Sequence, residues 1–235
     1  MKHLFFLGCM TLLLISCSED TSNTMFVTGN VKGLKKGTIY LQHVPDSTLV
    51  TIDSLEVDGD GSFTFKTKLE SPEIFYLYLN KEDYNDINDR ISFFGEPGNI
   101  TINTKWDTFD TNAKIEGSAT QKKLEEYRKI MTKFNKRSLE ILQTTANREV
   151  ALTPEQIDSI EEVSHKNIQR GYAFALNFAL NNRDSYIAPY IALTEVSDAN
   201  IKYLDSINNS LTPEVAGSKY GKALQNFLEI RKKKE

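Results

Sequence analysis

Val50-Thr51-Ile52-Asp53-Ser54-Leu55-Glu56-Val57-Asp58-Gly59-Asp60-Gly61-Ser62-Phe63-Thr64-Phe65-Lys66-Thr67 decides the fold of the first half of the chain. Apolar and polar residues alternate through Val50–Val57 and again through Phe63–Thr67. A period of two marks a strand with one buried face. Asp58-Gly59-Asp60-Gly61 between the two runs reads as a tight turn, because glycine supplies the positive φ such turns need, and the pattern predicts a β-hairpin. A calcium loop needs oxygen ligands at alternate positions and a late bidentate acid. Only Asp58 and Asp60 fit that pattern and glycine arrives early, so no metal site is assigned.

Outward from this stretch the same grammar repeats. Phe26–Val31, Gly37–His43, Phe75–Leu79, Ile91–Phe94 and Ile100–Asn103 are further short β-prone runs, and Ala113–Glu116 is an eighth candidate. Phe75-Tyr76-Leu77-Tyr78-Leu79 is apolar enough to be covered on both faces. Gly, Pro, Asn and Asp clusters separate the runs, which predicts an antiparallel β-sandwich over residues 25–117. The acidic loop Glu82-Asp83-Tyr84-Asn85-Asp86-Ile87-Asn88-Asp89 has no metal-ligand spacing and reads as solvated, and Glu96 in Gly95-Glu96-Pro97-Gly98 has no catalytic reason.

At Gly117-Ser118 the period changes. Ser118-Ala119-Thr120-Gln121 is a capping box. Leu124, Tyr127, Met131, Phe134 and Ile141 then form one apolar seam along a helix of about seven turns. Thr153-Pro154-Glu155-Gln156 opens a second helix, with Pro154 where its missing N–H costs nothing. Ile157, Ile160, Ser164, Ile168, Tyr172, Ala175 and Ala179 make its inner face, and Asn181-Asn182 ends it. The pair predicts a long αα-hairpin. Shorter helices follow at Tyr186–Val196, at Asp198–Asn208 capped by Ser197, at Thr212-Pro213-Glu214, and at Lys219–Ile230, with a frayed basic end from Arg231. The fold class is therefore α+β, with a helical domain over 118–235 behind the β domain.

The first twenty residues set the compartment. Lys2 and His3 precede an apolar run from Leu4 to Ile15, the order of a secretory signal. A run of about a dozen residues is too short for a spanning helix, which needs ~20. Leu14-Ile15-Ser16-Cys17 resembles a bacterial lipobox, which implies cleavage after residue 16 and acylation of Cys17. Residues 1–16 are then a signal peptide and residues 17–24 a lipidated cysteine with a flexible tether. Several acyl chains anchor stably where one does not. Ser18-Glu19-Asp20 resembles the acidic tag that sends some lipoproteins to the surface of the outer membrane, a face this sequence leaves open.

Composition excludes several functions. The net charge of −4 becomes −5 once Lys2 leaves with the signal, and both signs are interspersed. That excludes a basic nucleic-acid face. The two cysteines are Cys9, lost with the signal, and Cys17, so the mature body has no thiol chemistry of its own. The mature histidines, His43 and His165, lie far apart in sequence and lack a Gly-x-Ser-x-Gly neighbour. No catalytic, cofactor-binding or metal residue is assigned, and the chain is expected not to be an enzyme. The expected partners are the bilayer, through Cys17, and an envelope protein or glycan. Trp106-Asp107-Thr108-Phe109 is the best sugar-stacking candidate. Asp46-Ser47-Thr48, Asp53-Ser54-Leu55, Asp158-Ser159-Ile160 and Asp205-Ser206-Ile207 resemble acceptors of a bacterial O-glycosylation system.

Gly33-Leu34 with Gly37-Thr38-Ile39-Tyr40-Leu41, Ser71-Pro72-Glu73, Ile91-Ser92-Phe93-Phe94-Gly95-Glu96-Pro97-Gly98 and Leu211-Thr212-Pro213-Glu214 with Ser218-Lys219-Tyr220-Gly221 resemble the N-terminal region of TlpA-like thiol-disulfide oxidoreductase lipoproteins. That resemblance covers nearly all of the mature chain. It implies a β domain of unknown function and a helical region placed ahead of a thioredoxin domain. The sequence ends near Glu235, where that domain is expected to begin, and contains no Cys-x-x-Cys, so the family's redox residues have no counterpart to carry over. A tethered sandwich with a helical attachment suits a non-enzymatic envelope binding module, and the resemblance implies the alternative, an accessory to a separate thioredoxin-fold protein.

Overall fold

The structure is a computed structural model that describes residues 22–81, 89–146 and 152–233. The signal stretch, Cys17, Ser18-Glu19-Asp20 and most of the acidic loop lie outside the described residues.

Eight strands come first: β1 (Thr24–Lys32), β2 (Lys36–His43), β3 (Val50–Asp58), β4 (Ser62–Lys68), β5 (Glu73–Asn80), β6 (Arg90–Gly95), β7 (Gly98–Lys105) and β8 (Lys114–Glu116). They form two four-stranded sheets, β4-β1-β7-β8 and β3-β2-β5-β6. Val27, Phe65, Ile100 and Ile102 of the first sheet share one core with Ile39, Leu41, Phe75, Leu77 and Phe93 of the second. These are the alternate residues of each run, as a period of two requires.

Two expectations from the sequence fail here. The strands are not all antiparallel, since β1 and β7 pair in parallel from Met25↔Gly98 to Lys32↔Lys105. Alternation tells which face a residue takes, but not which strand it meets or in which direction. The second failure is the hairpin. The turn after Asp58 is tight, with Gly59 at φ 89°, yet β3 and β4 lie in different sheets. Its backbone is stitched to the end of β1 and to the β1–β2 connection instead. Val31 N–H donates to Gly61 O at 2.9 Å and Gly59 N–H donates to Lys35 O at 2.8 Å. The turn chemistry is local, whereas the choice of sheet follows from the core both strands must cover.

Six helices follow: α1 (Ala119–Ala146), α2 (Pro154–Asn181), α3 (Ile187–Thr194), α4 (Ile201–Ser210), α5 (Pro213–Ala216) and α6 (Lys219–Lys232). Thr153 and Gln156 make the full capping box of α2. The box of α1 is only half made. Ser118 Oγ accepts Gln121 N–H at 2.9 Å, but the Gln121 side chain turns to the sheet. Helix α4 is capped by Asn200, whose side chain accepts Lys202 N–H, and not by Ser197. Leu124 and Tyr127 of α1 and Ala175 and Ala179 of α2 join Ala188, Ile191, Leu204, Ile207 and Leu224 in a second core. Ile74 and Phe94 also belong to it, so the start of β5 and the end of β6 are covered on both faces. Toward the tip of the α1–α2 hairpin each helix, among the described residues, has only the other for cover. Predicted inner residues Ile157 and Ile168 are 42% and 59% exposed there. Among the described residues no helix is long and apolar enough to cross a membrane.

Candidate functional site

The two units meet where the β5–β6 ladder runs out of partners. Ile74 and Phe94 face each other across that ladder. Strand β2 ends opposite Phe75, so it offers Ile74 N–H no acceptor. Strand β6 is an edge, so Phe94 N–H points at no strand. A buried backbone donor must find a partner, and the helices supply both. Tyr220 Oη accepts Ile74 N–H at 3.1 Å, and Gln121 Oε1 accepts Phe94 N–H at 2.9 Å. Glu96 answers in the other direction. Its carboxylate accepts Ala119 N–H and the Thr120 hydroxyl, the latter at 2.8 Å. An acid at a helix N-terminus also suits the dipole there. The rings of Phe94, Tyr190 and Tyr220 fill the seam, with centroids 5.2 to 6.0 Å apart.

Beside this joint lies a cleft of about 560 Å³, between the ends of β2 and β4, the start of β5 and the start of α6. Its polar centre is Glu73, which is 9% exposed. Glu73 Oε1 lies 3.3 Å from His43 Nδ1, and Glu73 Oε2 accepts from Lys219 Nζ, which also donates to Val44 O. Lys219 N–H donates to Ser71 Oγ at 2.9 Å. The His43 ring stacks on Phe75 at 5.5 Å and 8°. Leu69, Ile52 and Phe75 give the cleft an apolar wall, and Lys68 and Lys222 line its mouth. Both oxygens of Glu73 are engaged and the Ser71 hydroxyl already accepts a helix N–H. Together these contacts tie the start of α6 to the end of β2 and the start of β5.

A shallower groove of about 170 Å³ runs between α1 and α2, walled by Met131, Phe134, Ile168 and Gly171. At its inner end Tyr127 Oη donates to Glu195 at 3.2 Å, and burial, then the Glu195 charge, pushes the Tyr127 phenol well above its usual range. Tyr172 donates to Asp198, and burial followed by that bond pushes it up to about 12. Tyr186 donates to Glu214 at 2.6 Å and is likewise pushed up to about 12, mostly by burial.

The residues singled out in the sequence scatter. His43 enters the cleft, while His165 lies exposed on α2 beside Gln169. Trp106 caps the far end of the fold at 47% exposed, its indole set against Gly33 so closely that a Cβ there would fall 2.6 Å away. Ser47, Ser54, Ser159 and Ser206 are all exposed. Arg231 is not frayed, since it donates to Ser197 O and Ala199 O at 2.8 and 2.9 Å. Sequence reasoning missed Glu73, Gln121, Lys219 and Tyr220. The available signal was Glu73 itself, an acid opening a strand that is otherwise apolar on both faces.

A model of a domain of unknown function, DUF4369, matches residues 25–124. The match takes in the strands and ends at Leu124, the first buried apolar residue of α1. No curated protein and no solved structure is significantly similar to the chain.

Proposed function

We propose that the chain is a lipid-anchored lipoprotein of the bacterial cell envelope, held at the outer membrane through acylated Cys17 and acting as a non-enzymatic binding module without a cofactor. On this reading its β half, the domain of unknown function, is a β-sandwich on which the helices are fixed. The observation that carries the proposal is the placement of the joint. The chain enters the fold at Ser22 and Asn23, which line the groove formed by Leu69–Pro72, Glu96 and Glu214. That groove adjoins the Glu73–Lys219 cleft, so tether, sheets and helices converge at one end of the molecule. A body joined this way presents its opposite end to whatever lies beyond the membrane.

The finer kinship with TlpA-like lipoproteins rests on turns and caps such as Ser71-Pro72-Glu73 and Ser218-Lys219-Tyr220-Gly221. It favours the alternative of an accessory to a separate thiol-disulfide oxidoreductase. Labelling with an alkyne analogue of palmitate in a Gram-negative host tests the anchor. The intact chain is expected to carry label and to sediment with membranes, and Cys17→Ala to lose both. An unlabelled intact chain refutes the anchor. Recovery of a Cys-x-x-Cys protein after crosslinking in the same cells favours the alternative reading.

A further inference from the structure

The outer face of sheet β3-β2-β5-β6 divides into two halves. Ile74, Tyr76 and Phe94, toward the tether, are covered by the helices. Among the described residues nothing is packed over the other half, which has a distinct chemistry. Ile39, Leu41, Val57, Leu77 and Ile91 point into the core, so the alternate residues Lys36, Thr38, Tyr40, Ser54, Glu56, Asp58, Tyr78 and Arg90 point outward. The register sets them in rows. Ser54, Tyr40, Tyr78 and Arg90 lie side by side across four strands. Thr38 faces Glu56 and Lys36 faces Asp58 in the rows beyond. The rings of Tyr40 and Tyr78 stack at 5.7 Å and 29°, and the Arg90 guanidinium lies 5.3 Å from the Tyr78 ring centre. Next to this aromatic row Lys36, Thr38, Glu56 and Asp58 line a groove of about 570 Å³. Lys36, Glu56 and Asp58 are exposed, and among the described residues their charged groups have no partner.

We infer that this open half-face, Tyr40 with Lys36, Thr38, Glu56 and Asp58, is a binding site for a neutral glycan. The inference rests on the binding-module reading above and gives that module its ligand class. An aromatic ring offers an apolar face to the C–H side of a sugar. Neighbouring side chains that both donate (Lys36, Thr38) and accept (Glu56, Asp58, Thr38) match hydroxyls, which also do both. Pocket polar groups placed this way fix orientation while the ring supplies contact area. Its one cation, Lys36, and two acids, Glu56 and Asp58, leave the groove slightly negative, so the site does not select a polyanion. Its position agrees. Strand β1 runs nine residues from Thr24 beside the tether to Lys32, which at ~3.3 Å per residue places its far end about 26 Å away. The groove opens at that far end, next to the β1–β2 turn.

Affinity electrophoresis of the full lipoprotein in mild detergent tests the site. The gels contain mixed-linkage β-glucan, xyloglucan or galactomannan, with polygalacturonate as the acidic comparison. The expected result is retardation in at least one neutral gel and none in polygalacturonate. Tyr40→Ala is expected to weaken binding about tenfold, the loss of one stacked ring. Glu56→Gln, an exposed change that leaves folding intact, is expected to weaken it several-fold. Free migration in all three neutral gels, or retardation that neither variant relieves, overturns the inference. Retardation only by polygalacturonate overturns it in favour of an anion site. Acyl labelling is scored on the same preparation. A labelled protein that migrates freely fails this inference alone, and an unlabelled protein that is retarded fails the anchor alone.

Discussion

Replacing Glu73 by alanine leaves Lys219 and His43 facing a cleft with no acid between them. Each charge-assisted hydrogen bond contributes ~1.5–3 kcal/mol. The groups are partly screened, with side-chain exposures of 12% for Glu73, 27% for Lys219 and 23% for His43. Screening moves the estimate to the low end, so the two contacts together are worth about 3 kcal/mol. In a protein of this size that corresponds to a fall of roughly 6–12 °C in Tm. Urea unfolding followed by circular dichroism reads the free energy, and calorimetry the midpoint. Glu73→Gln keeps an acceptor without the charge and is expected to lose about half as much. In a double-mutant cycle with Lys219→Met, the two losses should fall short of additive by about 1 kcal/mol or more. A loss below about 0.5 kcal/mol for Glu73→Ala is the behaviour of an exposed ion pair. It would refute the assignment of Glu73 as the centre of the joint.

Gln121→Ala removes the acceptor of the buried Phe94 N–H and is expected to cost about 2 kcal/mol in urea unfolding, because the orphaned donor stays desolvated. Gly29→Ala places a methyl 1.8 Å from Ile102 O across the parallel β1–β7 ladder, and soluble yield with the far-ultraviolet β signal is expected to collapse. Stability should also fall as pH rises from 10 through 12. Tyr172 and Tyr186 hold their protons up to about 12 in the fold but release them near 10 when unfolded, so the native state binds more protons across that window and ∂ΔG/∂pH is negative there. Unfolding midpoints measured over that range should flatten in Tyr172→Phe/Tyr186→Phe, and an unchanged slope would contradict the assignment.

Much of the fold was legible because it is written in local periods. Val50–Val57 and Phe63–Thr67 announce strands, and Thr153-Pro154-Glu155-Gln156 announces the start of α2, in each case through contacts a few residues apart. What failed was long-range. The alternation around Asp58-Gly59-Asp60-Gly61 is the same whether its strands pair or part, and only the shared core sends β3 and β4 to different sheets. Gln121 reads as half of a capping box until Phe94 is seen to lack an acceptor 27 residues earlier. The cleft was illegible for the same reason. His43, Glu73 and Lys219 are separated by 30 and 146 residues, and no spacing rule spans such gaps. Exposure of Ile157 and Ile168 was missed because helical periodicity marks an apolar stripe but not the partner that covers it.

The central position of β1 has a mechanical meaning. It is flanked by β4 on one side and β7 on the other, and under the proposed anchoring at Cys17 it is the strand into which the tether would lead. Were the chain anchored there, a force dragging the body away from the membrane would load both ladders of β1 lengthwise. All their hydrogen bonds must slip at once, whereas an edge strand would peel one bond at a time. Under the proposed anchoring and glycan binding, the strand nearest the anchor would thus be the one best placed to bear strain when a bound polymer is pulled by flow.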